Sequence, residues 1–210
     1  MSALLALIGV LAAPLAQALL VVALQRPPGL RDFVHIGLSL VTAICAVRLV
    51  GAAGNDEAVR LVLAQPLPNV DLAFVVEPLG ALMAAVIASL SVLHALHSAG
   101  IVRATQEKAP ARLMAFMAFA SASTLAVALS ANLFTMFVAY QALTLSTFPL
   151  VAHRGDEEAR AASRVFLATL LTASMGLFLP AMIWTNAITG ALDFQPGGVL
   201  AGRVDVATAN

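Results

Sequence analysis

"MFVAYQALTLSTFPLVAHR", residues 136–154, is apolar or weakly polar up to its last residue, Arg154. It is the downstream half of a longer run, 113–153, that contains no Asp, Glu, Lys or Arg. A membrane-crossing helix needs about 20 apolar residues. The run is about twice that length and must be two helices joined by a tight turn. The turn falls at "SAN", 130–132, because Ser and Asn favour turns and helix caps. The downstream helix carries Gln141 beside Tyr140. A primary amide has donors and an acceptor that lipid tails do not satisfy, so Gln141 needs a polar partner.

Working outward, the runs 1–25, 78–102 and 165–192 are also free of charge, and each is long enough for one span. Run 33–47 is short, but it extends to a span if Arg48 snorkels from its end. These runs predict an all-α membrane protein of six transmembrane helices. Composition agrees: 61% of residues are hydrophobic and 10% charged, where a soluble domain has about 25% charged. Helices are expected over about 3–25, 31–53 and 78–101, then from Pro110, from Asn132 and over about 160–188. Pro78 and Pro110 suit first helical positions, and "DEEAR", 156–160, places acids at the positive end of a helix dipole. Segment 55–77 differs, with charges, prolines and two β-prone runs, "RLVLA" and "LAFVV". It reads as a short hairpin or extended segment outside the membrane. The expected organisation is therefore helices 1–2 over 1–54, the extended segment over 55–77, helices 3–6 over 78–190, and a polar tail over 191–210.

The formal net charge is zero, so bulk charge indicates no partner, but its distribution is informative. Eight of the eleven basic residues follow odd-numbered helices: Arg26, Arg31, Arg103, Lys108, Arg112, Arg154, Arg160 and Arg164. The other three are Arg48, Arg60 and Arg203. The positive-inside rule puts the odd loops in the cytoplasm and both termini outside it. Residues 1–25 lack the basic start of a signal peptide and are expected to remain as a helix. The single cysteine, Cys45, falls inside helix 2 and reads as a small buried apolar group.

Several polar side chains lie within the spans. Gln141 is either interhelical glue, worth about 0.6–2 kcal/mol, or part of an ion pathway. Phe137 and Thr144 flank it at helical spacing and should share its face. His94 and His97, three apart, should also share a face. Without carboxylate or cysteine partners they make a poor metal site, so a proton relay or a headgroup-level position remains. His35 and His153 flank helix ends and are expected at the interface. Arg164 enters helix 6 and either snorkels or points inward. The ion-pathway candidates are thus Gln141, His94, Arg164, His97 and Thr144. The sequence has no nucleotide-binding glycine motif, nucleophile constellation, cysteine cluster or basic aromatic patch. No metal, cofactor or nucleic-acid partner is expected.

"ANLFTMFVAYQALTLSTFPLVAH", 131–153, resembles the fifth helix of the antiporter-like membrane subunits. These are shared by proton-pumping complex I, Mrp-type sodium/proton antiporters and membrane-bound hydrogenases. Asn132, Leu133, Phe137 and Tyr140 match the pattern N-L-x-x-x-F-x-x-[WY]-E, and residues 146–148 keep its continuation. "VEPLGALMAAVIASLSVLHALHS", 76–98, looks like the family's third helix, which opens with an acid and ends in H-x-Y-S. Glu77 and Ser98 match, His97 stands at the Tyr position, and His94 is one residue out of register. "EEARAASRVFL", 157–167, resembles the entry to helix six, with Arg164 at the family's Lys or Arg position. The resemblance covers about 70–190, and "ALTLSTFPLVAH" is most similar to the D-subunit type of Mrp antiporters.

Two departures matter. The family's fifth-helix Glu is Gln141 here, an amide of the same shape with no titratable proton. The family is also longer, built on inverted repeats with a broken helix near each pathway, and this sequence stops before that helix. The expectation is a truncation, a split-gene half or a short paralogue. The resemblance implies a subunit, or amino-terminal part, of a multisubunit cation/proton antiporter or redox-linked ion pump in a bacterial inner membrane. A redox complex would be of the NADH:quinone oxidoreductase or hydrogenase type. Other membrane subunits, including one supplying the missing helices, would be its partners. A structural subunit that has lost translocation, and a subunit for dissolved-inorganic-carbon uptake, are the alternatives.

Overall fold

The computed structural model describes residues 2–55, 59–68, 70–195 and 197–200. The first five helices are α1 (Ala3–Ala23), α2 (Pro28–Gly54), α3 (Pro78–Thr105), α4 (Pro110–Ala128) and α5 (Leu133–Val151), with short links except between α2 and α3. The last span is α6 (Glu157–Ala173), one π-helical turn (Ser174–Phe178) and α7 (Leu179–Thr189). Six helical stretches are long and apolar enough to cross a membrane, this composite stretch of 33 residues being the last. Between α2 and α3, strands β1 (Arg60–Leu67) and β2 (Val70–Val75) pair antiparallel with an irregular register. An all-α membrane protein with a hairpin between its second and third helices is what the sequence predicts.

The helix limits follow local chemistry. Asn132 caps α5 by accepting the Thr135 N–H at 2.8 Å, and Asp156 caps α6 by accepting the Ala159 N–H at 2.7 Å. Proline opens α2, α3 and α4, where its missing N–H costs nothing. The π-helical turn has a similar cause. Pro180 has no N–H for the carbonyl four residues back, and its ring crowds that carbonyl. The helix widens just ahead of it, and the Leu179 N–H reaches the Ser174 carbonyl five residues back.

α1 packs on α2 and α4, α2 on α3, and α4 on α5, whereas α6 rests mainly on α5. The main core joins Leu7 and Val10 of α1, Leu49 of α2, Ala84 and Ala88 of α3, and Leu125 of α4, with Phe74 inserted from the hairpin. Cys45 is 5% exposed in this core. Small residues allow two close approaches. A Cβ on Gly9 would lie 2.6 Å from Cys45 Sγ, and one on Gly80 2.6 Å from the Ala128 carbonyl oxygen. The last span is the least covered, with 11% of its apolar window buried.

Contacts sort the loops into two ends. At one end Arg103 reaches Asp32, Arg112 donates to the His153 carbonyl, and His153 meets Glu107 at 3.2 Å. At the other, Arg60 meets Asp193 at 3.1 Å, and Asn132 donates to the Asp71 carbonyl at 2.8 Å. The odd loops, with most of the basic residues, therefore share one end, and the hairpin shares the other with the α4–α5 turn.

Candidate functional site

Gln141 lies on α5, half-buried. Its Oε1 is enclosed by protein and accepts no hydrogen bond, alone in this among the buried side-chain nitrogen and oxygen atoms of the described residues. No side chain of the last span donates to it. An enclosed, unpaired acceptor costs about 1–3 kcal/mol, so the atom is a site that waits for a donor. One turn before it, Phe137 meets Phe178 of the π-helical turn edge to face, with ring centres 5.4 Å apart. One turn after it, Thr144 is 2% exposed and donates to the Tyr140 carbonyl at 3.0 Å. That bond stays within its own helix, so the hydroxyl offers no contact to another helix.

The remaining candidates do not gather around Gln141. Arg164 is exposed on α6, as a snorkelling residue would be. His97 is exposed while His94 is half-buried, so the pair does not share one environment. Three residues is short of a full turn, and the residue that follows His94 on the inward face is Ser98, four residues on. His94 Nε2 approaches Met117 Sδ of α4 at 2.8 Å.

A second polar centre lies between α1, α2, α3 and α4. On α2, Asp32, His35, Ser39 and Thr42 are each no more than 2% exposed. The spacing of these residues puts them on one helical stripe. Asp32 binds two arginines, Arg31 at 2.7 Å and Arg103 of α3 at 2.7 Å. The amide nitrogen of Gln17 on α1, 4% exposed, lies 2.8 Å from His35 Nδ1, 2.9 Å from the His35 carbonyl oxygen and 2.9 Å from Ser39 Oγ. His35 Nε2 lies 3.3 Å from Ser98 Oγ of α3. Beyond them, Gln17, His35, Ser39, Thr42, Ser91, His94, Met117 and Ser121 line a small cavity with room for about one water. Among the described residues no group of three or more His, Cys, Asp or Glu could hold a metal.

His35 is thus not interfacial, as its position near a helix start suggests, but 1% exposed. Helix α2 begins at Pro28, and its first turns are covered by α1 and α3. Arg31 is likewise buried, at 3% exposed. Two signals for this centre are present in the sequence. One is the stripe Asp32, His35, Ser39, Thr42, and the other is Gln17, an amide in a charge-free run like Gln141. A search for charge-free runs passes over both.

No family model matches the chain. Among curated proteins it is similar to NAD(P)H-quinone oxidoreductase subunit 5, organellar chromatophore 1, of Paulinella chromatophora. The two are 24% identical over 181 residues, which is 82% of this chain and 26% of that protein. Among solved structures it superposes on a chain of the membrane-bound sulfane sulfur reductase (MBS), an archaeal respiratory membrane complex. That match has a TM-score of 0.77 at 20% identity and covers 91% of this chain and 39% of the other. A chain of the Mrp complex from Dietzia sp. DQ12-45-1b gives a TM-score of 0.72 at 24% identity over 92% of this chain and 36% of the other. The chain shares the fold of these two membrane-complex chains. It spans about a quarter of the length of the curated relative and under two fifths of either solved chain. That shared fold, with six helices long and apolar enough to cross a membrane, makes this a multi-pass membrane protein. Gln141 and the Asp32–His35 centre are features of this chain's own residues within that fold.

Proposed function

We propose that the chain is a subunit, or the amino-terminal part of one, in a multisubunit monovalent cation/proton antiporter or a related redox-linked ion pump. The observation that carries this reading is the superposition of nearly the whole chain on membrane subunits of an Mrp complex and of a respiratory complex. The sequence similarity to a quinone oxidoreductase subunit points the same way. Gln141 is the contact to the rest of the assembly. Its half-buried amide would turn to pair with a partner membrane subunit, since its Oε1 is unpaired within this chain, and an amide at that place holds a helix without carrying a proton. That observation also favours a second reading, a structural subunit that keeps the fold and has lost translocation. The proposed setting is a bacterial inner membrane, with the basic loops in the cytoplasm and both termini outside.

Purification of the complex in mild detergent, followed by mass spectrometry, tests the assignment. Cation-antiporter subunits or a soluble redox arm support the leading reading. A carbonic-anhydrase-like partner would replace it with inorganic-carbon uptake. Proteoliposomes holding this chain alone should show no sodium- or potassium-dependent proton flux. Saturable exchange by the isolated chain would refute the need for partners.

A further inference from the structure

The hydrogen bonds around Gln17 fix a protonation state. The His35 carbonyl oxygen only accepts, so the group 2.9 Å from it must be the amide nitrogen of Gln17 and not its oxygen. That nitrogen carries two hydrogens and no free lone pair, and His35 Nδ1, the His35 carbonyl oxygen and Ser39 Oγ share them, so Nδ1 faces it with its lone pair. Nδ1 therefore holds no proton, and the neutral ring carries its hydrogen on Nε2, which faces Ser98 Oγ. Ser98 passes its own hydrogen to the Ala95 carbonyl at 3.1 Å, and Ser39 donates to the His35 carbonyl at 3.0 Å. With Gln17 turned this way, the arrangement matches a neutral His35 ring.

We propose that His35 is a proton-accepting site between α1, α2, α3 and α4, separate from the Gln141 position, and that Gln17 is the amide that turns when the proton arrives. The proton comes from a hydronium ion in the cavity that Gln17, His35, Ser39 and His94 line. It binds the Nδ1 lone pair, leaving water behind and an imidazolium on His35. A protonated Nδ1 facing the Gln17 amino group would set donor against donor. Gln17 relieves this by turning its amide so that Oε1 faces Nδ1–H. Ser39 Oγ then rotates its hydrogen from the His35 carbonyl to the same Oε1. The turn gives up the Gln17 bond to the His35 carbonyl, which keeps its place in the helix ladder.

The charges around the site link it to the loop end. Asp32 stands one turn before His35 on the same stripe and binds two arginines, so the group Arg31, Asp32 and Arg103 carries a net charge of +1 (two positive, one negative). An imidazolium adds to it. Arg103 is the member that can leave, since its side chain is 63% exposed and Arg31 is 4% exposed. From α3 the site also meets His94 and Ser98, from α4 Met117 and Ser121, and from α1 only Gln17 and Pro14. From Asp32 to Thr42 the stripe runs about 15 Å along α2, half of a hydrocarbon core of about 30 Å. Beyond Thr42 the interior is closed by Leu7, Val10, Leu49 and Leu125. The site thus adjoins the charged group Arg31, Asp32 and Arg103 at the basic-loop end and is blocked toward the hairpin end. It stands on the geometry of α1–α4, whether or not the assembled complex exchanges ions.

The test is nitrogen-15 magnetic resonance of histidine and glutamine side chains in the full chain, reconstituted in lipid bilayers and titrated from alkaline to acidic pH. His35 is assigned through its contacts with Gln17 and Ser98. The expected result is a neutral ring with Nε2 protonated and Nδ1 bare. On acidification the bare Nδ1 signal is lost, and the Gln17 amide signal moves with the same midpoint. In Gln17→Leu the neutral ring should lose its single form and show both tautomers. A neutral ring protonated on Nδ1 would overturn the proposal. So would a His35 that stays neutral wherever the chain remains folded, or an imidazolium that forms while the Gln17 signal stays still. The first measurements use the unaltered chain, so they decide the matter even if Gln17→Leu does not fold.

Discussion

Asp32→Asn should be among the most damaging conservative substitutions in the chain. The carboxylate is 3% exposed and holds Arg31, itself 4% exposed, and Arg103, which is 63% exposed. An asparagine keeps the shape but removes the charge, leaving the Arg31 guanidinium buried without a counter-ion. Breaking a buried pair in this way costs about 3–5 kcal/mol. The Arg103 contact adds little, about 0–1 kcal/mol, because solvent screens an exposed partner. Two comparisons separate the terms. Arg103→Gln should cost about 0–1 kcal/mol, because its head is already in water. The double variant Arg31→Leu, Asp32→Leu removes both buried charges together and should recover most of the loss, since an apolar replacement of a buried pair is often neutral. The assay is reversible unfolding in mixed micelles with increasing dodecyl sulfate, read by circular dichroism. Asp32→Asn should lower the folding constant by two to three orders of magnitude, at about 1.4 kcal/mol per tenfold. A loss no larger than that of Arg103→Gln would refute the reasoning, as would a double variant as unstable as the single one.

Gly80→Ala should destabilise the chain by about 1–3 kcal/mol, since the new Cβ meets a backbone oxygen at Ala128 that no side-chain change removes. Gly9→Ala should cost a similar amount but be rescued by Cys45→Ala, which deletes the sulfur it meets; thermal unfolding in detergent checks both. Asn132→Ala should cost about 1–2 kcal/mol through the lost cap, and Asn132→Asp should also destabilise, because it keeps the acceptor for Thr135 but loses the donor to the Asp71 carbonyl and sets a carboxylate against that of Asp193. Gln141→Leu should leave the isolated chain as stable or stabilise it by about 1–3 kcal/mol, the cost of its unpaired oxygen, while weakening recovery of partner subunits and leaving any pH profile of exchange unmoved. A cysteine at Gly155 should react with a membrane-impermeant reagent only from the cytoplasmic side; labelling only from outside would invert the proposed topology.

The number and order of spans was legible in the sequence because a bilayer imposes one constraint on every span: about 20 residues without charge. The split of 113–153 at 130–132, the hairpin runs and the acidic start of the last span follow from equally local rules, and the structure has each of them. Gln141 was legible as an amide needing a partner, but that its oxygen is enclosed without one was not, because helix packing decides which atoms surround it. The second centre was decided only by tertiary structure. Arg31, Asp32 and His35 stand at the start of a span, where sequence rules assign charged and ionisable groups to the interface. Whether they meet water or protein depends on which helices cover that turn. Gln17 and Ser98 are 18 and 63 residues away from His35 along the chain, and no periodicity within α2 reports their approach. Local pattern sets where a helix runs and which residues share a stripe. Only the packing of α1 and α3 against that stripe decides that it is buried, paired and held in one protonation state.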